Sequence, residues 1–228
     1  MSNQMLINQV LMKPSLTFDN FYTNSNEELV EIIKNKLPTL ILIWGEEASG
    51  KSHLLSAMKE KFGGEFFSSN TFPSTSADIN TDLKKYFIDD INLFSNAQLD
   101  VLFYLFTKLQ IAGLGDRDVN IAITSNCPPT QLKIREDLRN RLGWGLVYEI
   151  KRLPDSFARK ALIERAKEMG WNLPEEVLSW LYSYYSRDAK FLFNLIDNLD
   201  QISLTEKRTI TIPFVKRVIE EDMASSNI

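Results

Sequence analysis

Short apolar runs, separated by stretches of helical character, are the dominant pattern of this chain. Five of them are rich in isoleucine, leucine, valine and aromatic residues, and they lie at residues 40–44, 65–67, 85–91, 120–124 and 146–150. Runs of this kind are typical of strands that are buried on both faces of a sheet. Their alternation with helical segments predicts a parallel, doubly wound α/β sheet.

Capping signals mark the helices between these strands. Asn24 or Ser25 can cap a helix that reaches about Lys36, because a side-chain oxygen there accepts a hydrogen bond from the first turn. A second helix follows the first strand and ends at a pair of glycines after residue 62. Ser95 and Gln98 have capping-box spacing and predict a helix that reaches about residue 111.

The strand pattern stops near residue 153. Helices are predicted beyond that point at residues 155–169, 174–185, 188–203 and 212–223. We therefore expect a flexible N-terminal tail over residues 1–15, an α/β core over residues 16–153 and a helical lid over residues 154–228.

Composition narrows the class of protein. A formal net charge of -4 argues against nucleic acid as the main direct partner, because binding to a phosphate backbone requires a basic face. One cysteine and one histidine exclude a disulfide framework and a zinc site built on His/Cys clusters. We find no apolar run of membrane-span length and no leader-like N-terminus, so we expect a cytoplasmic protein without membrane contact.

The most specific motif is at residues 45–52, which fit the phosphate-loop pattern G-x-x-x-x-G-K-[ST] between a predicted strand and a predicted helix. In this setting backbone N–H groups wrap phosphate oxygens and the helix N-terminus favours negative charge. Lys51 neutralises the β- and γ-phosphates, and Ser52 holds Mg²⁺. The nucleotide-binding candidates here are Gly45, Glu47, Ala48, Ser49, Gly50, Lys51, Ser52 and His53.

Polar residues end the next two strands of the core. Asp89 is predicted to hold Mg²⁺ opposite Ser52, and Asp90 is predicted to polarise an attacking water. An aspartate pair at a strand end is also common in turns, but its place after a phosphate loop favours the catalytic interpretation. Asn126 either contacts a γ-phosphate or forms a turn before the proline pair that follows it.

Arg141 precedes a Gly-Trp-Gly turn at the edge of the core. Its planar guanidinium has the geometry to stabilise phosphoryl-transfer charge on the nucleotide of a neighbouring subunit. The alternative is that Arg141 is an ordinary solvated residue at a helix end.

Taken together, these motifs resemble the AAA+ ATPase portion of the DnaA-like family over about residues 16–222. The strings that carry the resemblance are at residues 17–21, 45–55, 88–91, 124–129 and 141–147. Within that family the chain is most similar to the Hda type, short DnaA paralogues with an AAA+ module behind a clamp-binding peptide. The resemblance implies a P-loop AAA+ fold, with a five-stranded parallel sheet sandwiched by helices and a small all-α C-terminal lid.

The resemblance also implies a regulatory function. Hda-type proteins bind ADP, dock on the sliding clamp (the β subunit of DNA polymerase III) and trigger ATP hydrolysis on ATP-loaded DnaA. By that resemblance Phe21, Tyr22 and Asn26 lie near adenine, Asn126 is the first sensor and Arg141 is the arginine finger in trans. We expect weak intrinsic ATPase activity at most, and DNA contact only through the clamp.

Two positions depart from the family pattern. Lys190 stands where the second sensor is an arginine, and because lysine lacks the bidentate fork, the preference between ADP and ATP stays open. The N-terminal tail offers Gln4, Met5, Ile7 and Gln9 as clamp contacts, but lacks the aromatic end of many clamp ligands. A mildly apolar tail without a partner is the alternative.

Other functions compete with this one. An autonomous DnaA-like or helicase-loader ATPase would oligomerise on ATP and contact DNA directly. A small P-loop kinase is disfavoured because the lid lacks an arginine-rich signature for an acceptor phosphate. The sequence leaves the oligomeric state open, including a homodimer.

Overall fold

The computed structural model describes residues 16–109, 119–185, 189–206 and 209–225. The chain divides into two compact units, one over residues 16–152 and one from residue 153 onward. The first unit is α/β and the second is helical.

The first unit is built on one parallel sheet. Its strands are β1 (Leu40–Trp44), β2 (Glu65–Phe67), β3 (Lys85–Ile88), β4 (Asn120–Ser125) and β5 (Leu146–Glu149). Its helices are α1 (Glu27–Asn35), α2 (Lys51–Phe62), α3 (Asn96–Lys108) and α4 (Glu136–Leu142), with short 3-10 turns at Ile91–Leu93 and Pro129–Gln131. The strands lie in the order β2-β3-β4-β1-β5, and each neighbouring pair is parallel. The predicted five-stranded parallel sheet is confirmed.

The central strand β1 is packed on both faces, which explains its uninterrupted apolar sequence. Ile41 and Ile43 belong to a buried cluster with side chains of α1 and α2. Leu40 and Leu42 belong to a second cluster with side chains of α3 and α4. Because successive side chains of a strand point to opposite faces, this division places helices on both sides of the sheet.

The capping box predicted for α3 is present. The Ser95 hydroxyl accepts from the Gln98 N–H at 3.3 Å, and the Gln98 side-chain oxygen accepts from the Ser95 N–H at 2.9 Å. Gln98 also donates to the carbonyls of Ser69 at 2.7 Å and Phe72 at 2.9 Å. This side chain therefore joins α3 to the loop that follows β2. The helix ends at Lys108, and residues 110–118, where the sequence places its end, lie outside the described residues.

We expect Gln98→Ala to cost more stability than Ser95→Ala. Loss of the cap at Ser95 should lower the free energy of unfolding by about 1 kcal/mol. Loss of Gln98 also removes the partner of two carbonyls, one of them in a fully buried hydrogen bond, so we expect about 3 kcal/mol. Urea unfolding of the two variants measures both losses, and equal losses would contradict the anchoring role of Gln98.

Two elements differ from the sequence-based expectation. Helix α1 begins at Glu27 with Asn26 as its N-cap residue, two positions after Asn24. The seven-residue helix α4 was not among the predicted elements. Only Leu138 and Leu142 are buried in it, and two apolar positions in a charged segment give too weak a periodic signal.

The second unit contains α5 (Asp155–Glu168), α6 (Glu175–Tyr184), α7 (Ala189–Glu206) and α8 (Ile212–Ser225). Pro154 and Pro174 precede the first two of these helices, where a missing N–H costs nothing. Side chains of all four helices form one apolar cluster. Arg165 and Asp197 form an ion pair at 3.2 Å in which both side chains are nearly buried. In the described part of the chain no helix is long and apolar enough to cross a membrane.

Candidate nucleotide-binding site

The phosphate loop leaves the carboxyl end of β1. The N–H of Gly45 donates to the Ser125 carbonyl at 3.2 Å, so the loop starts beside the end of β4. A Cβ atom on Gly45 would collide with the carbonyl oxygen of Ile150, so only glycine fits there. Gly50 has a left-handed φ of 95° and turns the chain into α2, where a Cβ would lie 3.0 Å from the Phe21 ring. Glycine is therefore required at the first position of the motif by close packing, and at the last position by a left-handed backbone.

Lys51 is held inside this loop. Its ammonium group donates to the carbonyls of Gly45 and Glu46 at 2.7 Å each, and only 9% of the residue is exposed. Ser49 is buried beside it, whereas Glu47 is exposed and Ala48 takes a left-handed φ of 60°. A cation at the first turn of a helix favours binding of an anion there.

The carboxylate of Asp89 lies between two hydroxyl groups. Ser52 donates to its Oδ2 atom and Thr124 donates to its Oδ1 atom, each at 2.6 Å. The Thr124 oxygen also accepts from the N–H of Asp90 at 2.7 Å. The structure thus brings together Ser52 and Asp89, the residues predicted to hold Mg²⁺. Thr124 had no predicted role, although its place near the end of β4 was a usable signal.

The donor set fits a magnesium ion that is also held by phosphate. Among the described residues, no group of three or more His, Cys, Asp or Glu side chains could hold a metal ion by itself. Mg²⁺ usually takes one or two protein ligands, phosphate oxygens and water. The hydroxyl of Ser52 and the carboxylate of Asp89 match that requirement.

Asp90 and Asn126 lie at the same edge of the sheet. Strand β3 ends at Ile88, and Asp90 then adopts a left-handed backbone, with φ of 50°, that starts the 3-10 turn. Asn126 follows the last residue of β4 and is exposed, and its N–H donates to the Asn92 side chain at 2.6 Å. Asn92 thus ties the turn after β3 to the end of β4, a link that the sequence analysis missed.

The segment before α1, residues 17–22, packs against the start of α2. The His53 Nε2 atom lies 2.9 Å from the Thr17 carbonyl and 3.0 Å from the Asn20 side-chain oxygen. The Phe21 ring packs edge-on against the His53 ring, with 5.2 Å between the ring centres. Tyr22 is half-buried in the same segment. Of the residues predicted to lie near adenine, Phe21 therefore packs against the start of the helix that follows the phosphate loop.

Asn26 makes its contacts within the protein. Its amide nitrogen donates to the Lys151 carbonyl at 3.0 Å and to the Asn24 carbonyl at 3.3 Å, and its oxygen accepts from the Lys151 N–H at 2.8 Å. Because both amide hydrogens have partners, this side chain joins the start of α1 to the end of β5. Asn26 is the N-cap residue of α1 by position, but its side chain makes no capping hydrogen bond to that helix.

Arg141 lies in the last turn of α4, near the opposite end of β1 from the phosphate loop. Gly145, which follows that turn, packs on the carbonyl of Leu40, the first residue of β1. The five residues of β1 span about 16 Å. Arg141 donates to the Thr107 hydroxyl at 2.6 Å, and its guanidinium carbon lies 4.1 Å from the centre of the Phe103 ring. Arg141 is thus positioned away from the phosphate loop of its own chain.

An exposed aromatic side chain accompanies Arg141. Trp144 is 58% exposed, and its ring centre lies 5.9 Å from the guanidinium carbon. Arg135 stacks on the same Phe103 ring at 4.7 Å, but it also pairs with Asp100 and Asp137. The surface around Arg141 therefore combines a cation with a large apolar side chain.

The other predicted site residues cannot be placed. Lys190 belongs to α7, but its side chain lies outside what the structure describes. The tail residues Gln4, Met5, Ile7 and Gln9 also lie outside the described residues.

Comparison with known proteins finds one family model that matches the helical unit and solved structures that share the fold of the chain. Residues 155–219 match the family model described as the lid domain of Hda. Domain III of the Thermotoga maritima replication initiation protein DnaA matches with a TM-score of 0.70 and 19% identity, over 91% of this chain and 97% of that chain. DnaA from Aquifex aeolicus bound to AMPPCP matches with a TM-score of 0.65 and 20% identity, over 92% of this chain and 70% of that chain.

A DNA replication initiation factor also matches, with a TM-score of 0.65 and 21% identity, over 83% of this chain. This chain spans 65% of that protein. At these low identities the structural matches show a common AAA+ fold and nothing finer. The lid model, in contrast, describes the Hda type specifically. The chain thus combines an α/β core of the AAA+ fold seen in the DnaA structures with a C-terminal region that matches the Hda lid model.

Proposed function

We propose that this protein is a nucleotide-bound regulator of DNA replication initiation. It holds ADP and Mg²⁺ at residues 45–52, docks on the sliding clamp, and stimulates ATP hydrolysis by DnaA through Arg141 in trans. The observation that carries the proposal is the position of Arg141 near the far end of β1 from its own phosphate loop. An arginine in that position is suited to a nucleotide on another subunit. The Hda lid match supports the same function.

A small number of groups would hold the phosphates and the magnesium ion at this site. Lys51 and the N-terminus of α2 attract the phosphates, and the N–H groups of the loop wrap their oxygens. Ser52 and Asp89 would hold Mg²⁺, which neutralises phosphate charge when it is bound. His53 fixes the segment that contains Phe21 and Tyr22, the residues that we propose for the base. Asn26 acts by positioning that segment and the end of β5.

The same geometry supports weak intrinsic hydrolysis. Asp90 and Asn126 follow the ends of two adjacent strands, where they would polarise and orient a water near a γ-phosphate. An arginine finger contributes about 10³–10⁵ to the rate of this class of reaction. Because Arg141 does not lie at its own phosphate loop, an isolated chain lacks that contribution. We expect the protein to retain ADP, because in this proposal the nucleotide keeps the core folded and poses Arg141 for DnaA.

Phe103 and Thr107 support the arginine finger. The stacked ring and the hydroxyl of α3 hold the Arg141 guanidinium at a defined place on the surface. A side chain that is already ordered loses less conformational entropy when it contacts a partner. The exposed Trp144 would add apolar contact area to the same encounter.

A reconstituted reaction tests the proposed function. Purified protein, DNA-loaded sliding clamp and ATP-loaded DnaA are mixed, and ATP hydrolysis is measured with ADP or ATP supplied to the regulator. We expect hydrolysis that depends on the clamp and on this protein together. Hydrolysis at the rate of DnaA alone would reject the proposal. A difference between the two nucleotides would show which one the site with Lys190 prefers.

The N-terminal tail makes a separate prediction. We expect Gln4→Ala or Gln9→Ala to weaken binding to the clamp by about tenfold, as is typical when a specific buried hydrogen bond is lost. Surface plasmon resonance on immobilised clamp measures the loss for each variant. Substitution of Asn3, which lies in the same tail outside the candidate anchors, is the control. If neither glutamine affects binding, the tail is not the clamp contact.

An autonomous ATPase is the second candidate function. The complete set of Lys51, Asp89, Asp90 and Asn126 at one edge of the sheet favours it, because these residues suffice for hydrolysis once a second subunit supplies an arginine. ATP-dependent assembly of the purified protein, together with turnover that DNA stimulates, would support this candidate. A monomer or dimer that keeps ADP and turns over slowly would support the regulator.

A further inference from the structure

Thr124 is the buried hydroxyl group that connects the two aspartates after β3 to the neighbouring strand. It is the fifth residue of β4, pairs in register with Ile43 of β1, and is fully buried. In the sheet order β4 lies between β3 and β1. Thr124 therefore lies on the strand next to the one that carries the phosphate loop, and its hydroxyl contacts Asp89 and Asp90 after β3.

Its hydroxyl has one hydrogen to donate, and the geometry determines where that hydrogen goes. The N–H of Asp90 can only donate, so the Thr124 oxygen accepts that bond at 2.7 Å. The hydroxyl hydrogen is then directed to Asp89 Oδ1 at 2.6 Å. One side chain thus orients a carboxylate and also fixes the left-handed backbone of the residue that follows it.

This arrangement fixes the rotation of the Asp89 side chain. Its second oxygen, Oδ2, accepts from Ser52 at 2.6 Å, so each carboxylate oxygen is bound by a hydroxyl from a different element. A carboxylate held at only one oxygen could rotate away from Ser52. The β-branch of Thr124 restricts its own rotamer in the strand, which makes it a stiff support.

We propose that Thr124 is a positioning residue for the metal-binding carboxylate, and that it sets how strongly Mg²⁺ tightens nucleotide binding. This inference rests on the proposed nucleotide site. It gives Thr124 no contact with the nucleotide or the ion. Its substitution should therefore reduce the contribution of the metal and leave the metal-free affinity for nucleotide unchanged.

The test compares nucleotide affinity with and without the metal. A fluorescent ADP analogue is titrated in Mg²⁺ and in EDTA, and the ratio of the two affinities measures the contribution of the metal. Thr124→Val keeps the shape but removes both hydrogen bonds, and we expect it to reduce this ratio by about tenfold, as for loss of a hydrogen bond to a charged group. Its affinity in EDTA should match that of the unsubstituted protein.

Two further variants separate positioning from stability. Thr124→Ser keeps the hydroxyl and should keep the ratio. Ser125→Ala removes the neighbouring buried hydroxyl, which donates to the Cys127 carbonyl at 2.6 Å, and should also keep it. If Thr124→Val does not fold, as judged by circular dichroism, Thr124→Ala is measured in its place.

The outcomes are distinct. An unchanged ratio in Thr124→Val, or a reduced ratio in Ser125→Ala, overturns the inference. An unsubstituted protein that binds ADP equally well with and without Mg²⁺ also overturns it, but leaves the nucleotide site in place. An unsubstituted protein that binds no adenine nucleotide rejects both the inference and the proposed function.

Discussion

Arg141→Ala should reduce the stimulation of ATP hydrolysis on DnaA by about a thousandfold, the lower end of what an arginine finger contributes. The planar guanidinium binds developing phosphoryl charge through two donors, which no alanine can replace. Nucleotide affinity should stay the same, because Arg141 lies near the far end of β1 from the phosphate loop. Single-turnover hydrolysis by DnaA, measured with the clamp present, gives the effect directly.

Arg135→Ala is the matched control. Arg135 stacks on the same Phe103 ring, and its ion pairs with Asp100 and Asp137 are exposed, so its loss should change stability little. We expect this variant to stimulate normally. Arg141→Lys keeps the charge without the fork and should recover only a small part of the activity. Normal stimulation by Arg141→Ala would show that another residue is the finger.

Gly45→Ala should destabilise the core and disrupt the phosphate loop. A Cβ atom at this position would collide with the Ile150 carbonyl and would lie 2.9 Å from the Ile150 side chain. Neither neighbour can give way easily, because Ile150 is buried and its N–H donates to the Trp44 carbonyl at 2.8 Å. We expect a loss of about 3 kcal/mol in the free energy of unfolding, the upper part of the usual range for overpacking.

Gly143→Ala provides the comparison for Gly45→Ala. Gly143 has an ordinary φ of -79°, and a Cβ there would meet the Asn140 carbonyl at 3.4 Å and the Arg139 carbonyl at 3.9 Å, without a collision. Chemical denaturation should therefore show almost no change for this variant. Nucleotide titration at low temperature then separates loop damage from unfolding in Gly45→Ala. A stable Gly45→Ala variant that binds ADP normally would contradict the packing argument.

Much of the fold could be predicted because its signals are local. The phosphate loop, the helix from Lys51 to Phe62 and the capping box at Ser95 each depend on residues a few positions apart. Burial of β1 on both faces is also visible in the sequence as an uninterrupted apolar run, since both faces need apolar side chains. Helix α4 escaped prediction because its stability comes from two leucines that pack against distant elements.

The sequence predicted candidate residues for the site, but it did not predict the hydrogen bonds between them. The sequence predicted that Ser52 lies opposite Asp89, and the structure has a hydrogen bond between them, while the metal role stays a prediction. The hydrogen bonds that hold the site residues in place could not be predicted in the same way. Thr124 binds Asp89 from 35 positions away, and Thr107 binds Arg141 from 34 positions away. No local pattern marks such pairs.

Two kinds of information can therefore be separated. The motif at residues 45–52 predicts a phosphate site from sequence alone, because strand, glycines, lysine and helix start are consecutive in the chain. The end of the sheet at which Arg141 lies is known only from the folded core, since it depends on how β5 pairs with β1 and how α4 packs on α3. The physical reason is that chain connectivity specifies neighbours along a strand, whereas burial and hydrogen bonding between distant segments decide which residues face the same nucleotide.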